Sequence, residues 1–67
     1  MSVARITEIS SSSKKGFDDA VEEGIKRASK TLRGITGAWV KEQKVSVKDG
    51  KVADYQVNMM VTFVLDD

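Results

Sequence analysis

The 67-residue chain contains neither cysteine nor histidine. Without cysteine there is no disulfide framework and no thiolate metal site, and without histidine the commonest general base and transition-metal ligand is missing. Histidine-based hydrolytic triads and zinc chemistry are excluded. An excess of one charge is also missing: 11 Lys+Arg against 10 Asp+Glu leave a net charge of +1, interspersed and too small to draw nucleic acid by bulk electrostatics. No apolar run approaches the roughly 20 residues that span a bilayer, and the N-terminus lacks the apolar block of a signal peptide. The expected setting is cytoplasmic, with no membrane and no nucleic acid as partner. Length bounds the chain to a single domain over residues 1–67, and a lone domain of this size buries only about 60% of its unfolded surface. Self-association is the common remedy that remains for so small a core.

The strongest positive signal is the alternation from Val52 to Leu65. Ala53, Tyr55, Val57, Met59, Val61, Phe63 and Leu65 fall on one parity, as in a strand with one buried face. The other parity carries Gln56, Asn58, Met60 and Val64 rather than a row of charges, which predicts an assembly or ligand surface instead of plain solvent-facing surface. Ahead of it, Asp49-Gly50 is a tight-hairpin signal that closes a second strand from Ala38 to Lys48. A two-residue turn pairs Lys48 with Lys51 and, counted back, sets Gln43 opposite Gln56, Lys41 opposite Asn58 and Trp39 opposite Met60. Ala38 and Val40 then join the buried face, while Trp39, Gln43, Gln56 and Met60 gather on the other.

A weaker alternation and frequent β-branched residues predict a first strand from Ser2 to Ser10. Ser13, at the end of the serine run, is the expected helix N-cap. Small and apolar residues at Phe17, Ala20, Val21, Gly24, Ile25, Ala28 and Leu32 follow the spacing of one helix face. Acidic residues lead and basic residues follow on the opposite side, as the helix dipole favours, and Gly34 offers a left-handed stop. Gly24 costs about 0.5 to 1 kcal/mol in a helix interior, so its place on the apolar face predicts a close approach of helix to sheet.

Two readings of Trp39 stand side by side: packing in a subunit interface, or stacking on a flat aromatic ring. Gln56 has a donor and an acceptor for the edge of a heteroaromatic ring, or for an amide pairing with Gln43. The carboxylate pairs Asp18-Asp19, Glu22-Glu23 and Asp66-Asp67 have no EF-hand spacing, so no metal ligands are assigned. Gly34 and Gly37 open no phosphate-binding loop, and nothing pairs an acid with a nucleophile. Binding, not enzyme catalysis, is the expected class.

The order strand, helix, long strand, long strand resembles the dodecins over essentially the whole chain. The resemblance rests on S-K-K-G-F-D-D-A from Ser13 to Ala20, Arg27-Ala28 with Thr31-Leu32-Arg33, the Asp49-Gly50 hairpin, Tyr55-Gln56-Val57, and Phe63-Val64-Leu65. It implies an α+β fold: a β-α-β-β subunit whose three-stranded antiparallel sheet wraps one helix, assembled into a hollow homododecamer of cubic-type symmetry. Many members bind flavins, riboflavin or FMN, in pairs between tryptophans, and store or sequester them rather than catalyse; some are linked to coenzyme A. Gln56 falls on the family's ring-contacting glutamine. Flavin-binding members look like Asp-Trp-Phe-Glu-Val where this chain has Thr36-Gly37-Ala38-Trp39-Val40, so Gly37 holds the tryptophan position and Trp39 lies two residues on. A two-residue step keeps the same strand face. The sequence around Trp39 looks more like a branch without the stacking tryptophan, some of whose members are calcium-associated. The expected ligand residues are Trp39, Gln56, Gln43 and Gly37, with flavin as the leading ligand and calcium or coenzyme A as the alternative.

Overall fold

The computed structural model describes residues 3–65. Ser2, where the first strand was expected to begin, and the Asp66-Asp67 pair lie outside the described residues. Along the chain come β1 (Ala4–Ser13), α1 (Phe17–Ala28), β2 (Ile35–Lys48) and β3 (Lys51–Val64), giving the expected β-α-β-β order. The sheet is antiparallel with strand order β1-β3-β2, so the most strongly alternating segment becomes the central strand.

The helix-side face of β3 supplies the core. Val57, Met59 and Val61 are fully buried, Ala20 of α1 clusters with Val57 and Met59, and Ile9, Phe17, Val21 and Ile25 pack around this cluster. Phe63, on the same parity, is only half buried because it lies toward the strand end. Phe17 meets Tyr55 edge to face at 5.2 Å between ring centroids, which ties the start of the helix to β3. Gly24 is where the sequence places the close approach: a Cβ there would lie 2.7 Å from Met59 Cε and 2.9 Å from Ser11 Cβ.

Four sequence expectations need correction. The serine run is strand, not cap: Ser11, Ser12 and Ser13 pair with Val57, Gln56 and Tyr55 because the long β3 offers partners that far. Ser13 is buried; its hydroxyl accepts from the Lys15 N–H at 2.9 Å and donates to Asp19 Oδ2 at 2.6 Å, fastening the strand-to-helix turn. Gly16 occupies the cap position with no side-chain hydrogen bond. The helix also stops at Ala28, short of Leu32, where the Ser29 and Thr31 hydroxyls donate to the carbonyls of Ile25 and Ala28 and the backbone tightens into successive turns. Gly34 is left-handed, with φ 73°, but it ends the connection into β2 and its carbonyl accepts from the Val64 N–H at 3.0 Å.

The third correction concerns register. Asp49 and Gly50 both have positive φ, 54° and 75°, and Lys48 pairs with Lys51 across the expected two-residue turn. A bulge between Ser46 and Val47 leaves Ala53 of β3 unpaired and shifts the middle of the hairpin by one residue; a second between Val40 and Glu42 leaves Lys41 unpaired and shifts it back. Trp39 therefore faces Met60 as expected, whereas Gln43 pairs with Val57 and Lys44 takes the place opposite Gln56. Glu42, not Lys41, stands opposite Asn58. The fourth concerns cover. Ala38 and Val40 share the face of Val61 and Met59, but α1 packs on β1 and β3, and β2 is exposed from Thr36 to Lys48.

Candidate functional site

The sheet face turned away from α1 is built from the even positions of β3 and their partners on either side. Three rows cross it: Ser12, Gln56 and Lys44; Ser10, Asn58 and Glu42; Glu8, Met60 and Trp39. Ile6, Thr62 and Gly37 form a fourth. Trp39 and Ile6 are each 51% exposed, so the last two rows present an apolar end around Trp39, Met60 and Ile6. The first two rows present hydrogen-bonding groups.

Those polar groups already hold one another. Asn58 Nδ2 donates to Glu42 Oε1 at 2.9 Å, and Gln56 Nε2 donates to Ser10 Oγ at 3.3 Å, leaving the Gln56 carbonyl oxygen without a side-chain partner among the described residues. Lys41, turned out of the ladder by its bulge, reaches over the Met60 row to Glu8 at 3.5 Å; the pair is exposed and adds little stability. Gly37 and Trp39 stand on one face, as their two-residue spacing requires, and a Cβ built at Gly37 meets nothing within 4 Å. The backbone at Gly37, two residues from Trp39 on the same face, is therefore open to a ligand.

A profile of the dodecin family matches residues 3–66. The chain belongs to the dodecin family. Dodecin from Thermus thermophilus is 32% identical over 65 residues, covering 97% of this chain and 94% of that protein. Among solved structures, dodecin from Streptomyces davaonensis superposes with a TM-score of 0.95 at 39% identity, over 98% of this chain and 97% of that one. The calcium dodecin of Mycobacterium tuberculosis, a calcium-chelating immunodominant antigen with a calcium-binding site, superposes with a TM-score of 0.82 at 28% identity, over 96% and 91% of the two chains.

In this dodecin chain the four expected ligand residues do not converge. Trp39, Gly37 and Gln56 share the outer face, but Gln56 lies four residues along β3 from Met60, the partner of Trp39, which is roughly 13 Å. Gln43, expected beside Gln56, is carried to the face of Val57 by the shifted register. Glu42 and Lys44 take its place, and the sequence offered no sign of them because a bulge leaves no fixed residue signature. Ser10 and Glu8 join from β1, which becomes visible only once β1 is known to lie beside β3. Among the described residues there is no group of three or more His, Cys, Asp or Glu placed to hold a metal ion, and no helix long and apolar enough to cross a membrane.

Proposed function

We propose that this dodecin forms a homododecameric shell that binds and stores flavin, riboflavin or FMN, on the outer sheet face. The observation that carries the reading is Trp39: a half-exposed indole beside Met60, next to the bare backbone at Gly37, on a face no part of the chain covers. An isoalloxazine ring stacks on such a surface and presents a donor and acceptor edge suited to an amide such as Gln56. Because Trp39 and Gln56 of one chain stand too far apart to grip the same end of one ring, the reading places them on different copies at a shared site. No acid or base on this face is paired with a nucleophile, so the role is sequestration, not catalysis.

Titration of riboflavin and FMN with the protein tests it. Quenched flavin fluorescence at micromolar protein is the expected result, with Trp39→Ala weakening binding at least about tenfold. Unchanged fluorescence would remove the flavin reading. The second reading, a shell that holds calcium or coenzyme A, draws on the likeness to the calcium dodecin of Mycobacterium tuberculosis. A calcium site here would need carboxylates from several copies, and calorimetry with calcium on assembled, metal-stripped protein decides it.

A further inference from the structure

β1 turns its odd positions toward α1: Ser11, Ile9 and Thr7 pair with the buried Val57, Met59 and Val61. Contact with the helix is tight at Gly24, where an added Cβ would lie 2.9 Å from Ser11 Cβ. Alongside, a groove of about 420 Å³ opens between helix and strand, and it stays open because Gly24 and Ala28 bring little side chain to it. Ile9, Ala28 and Leu32 form the apolar part of its lining. The volume falls at the low end of the roughly 300 to 1,000 Å³ of small-molecule sites.

Two opposite charges stand on the helix side of this groove. Glu23 and Arg27 both line it, both are exposed, and they lie one helical turn apart in the order that favours an ion pair. The ion pair found among the described residues is nevertheless Lys41 with Glu8, so the Glu23 carboxylate and the Arg27 guanidinium stand apart. Each keeps its hydrogen-bonding capacity for something else. A ligand with a carboxylate alone would gain Arg27 and be repelled by Glu23, and an amine alone would meet the reverse. A molecule that carries an ammonium and a carboxylate on one carbon satisfies both.

We infer that the groove between α1 and β1 binds a free α-amino acid with an apolar side chain. Its carboxylate lies on the Arg27 fork, its ammonium on Glu23, and its side chain against Ile9, Ala28 and Leu32. This groove is on the helix side of the sheet, opposite the face of Trp39 and Gln56. The inference is therefore independent of the flavin reading.

Equilibrium dialysis of the full chain against labelled L-leucine and L-phenylalanine tests it, with circular dichroism and sedimentation velocity as controls for folding and assembly. Saturable binding at millimolar ligand or below is the expected result. Arg27→Gln and Glu23→Gln, both at exposed positions, should each weaken it at least about fivefold, and 3-phenylpropionate and phenethylamine, which lack one charge each, should compete at least about fivefold less well than L-phenylalanine. Thr7→Trp, at the β1 side of the groove, should fill it and abolish binding. No saturable binding to the wild type, equal competition by the single-charge analogues, or unchanged binding in Arg27→Gln and Glu23→Gln overturns the assignment. So does a Thr7→Trp variant that stays folded but loses assembly, because a second copy of the chain would then be the occupant.

Discussion

A Cβ at Gly24 would intrude on Met59 and Ser11, whereas one at Gly37 would meet open space. The same substitution therefore has opposite expected effects at the two sites. Gly24→Ala gains helix propensity but forces the helix off the sheet, and it should lower stability by about 1 to 3 kcal/mol. Gly37→Ala should raise it by about 0.5 kcal/mol, by restricting the unfolded chain. Thermal melts of the two variants beside the wild type check both signs. The tight spot at Gly24 was legible in the sequence because a glycine inside an apolar helix stripe has a cost that only close packing offsets. Ser13 was not: a serine before a helix suits a cap, and only the reach of β3 shows that its hydroxyl is spent on Lys15 and Asp19.

The hairpin shows how far pattern reading extends at the level of elements. Asp49-Gly50 specified the turn, and parity specified which face of β3 is buried, so both came through intact. Gly50→Val places a β-branched residue at φ 75° and should cost at least about 1 to 2 kcal/mol, measurable by chemical denaturation. The register was legible at its two ends and lost between them, because two bulges of opposite sense cancel: Trp39 still meets Met60, while Gln43 and Lys44 exchange faces. Parity treats every position of β3 alike, whereas burial is complete only at Val57, Met59 and Val61. Met59→Ala should cost about 2 to 5 kcal/mol, and Phe63→Ala less in the isolated chain, since Met59 is fully buried at mid-strand and Phe63 only half buried near the end. Equal losses in the two variants would show that assembly completes the burial of Phe63.

For the whole molecule, composition already pointed to a chain that does not finish its own core, and the coordinates show where it stops: α1 packs on β1 and β3, while β2 stays exposed along its length after Ile35. Trp39 on one side and Val40, Val45 and Val47 on the other leave β2 with apolar groups on both faces. A strand of this kind at a sheet edge invites association unless copies of the chain cover it. Which side chains share the exposed faces of β2 was illegible in the sequence, because the alternation becomes a surface only after the bulges are fixed. Sedimentation equilibrium or native mass measurement at micromolar concentration tests the claim most directly. Twelve times the 7.4 kDa chain mass is the predicted result, and a lone chain stable at that concentration would contradict it.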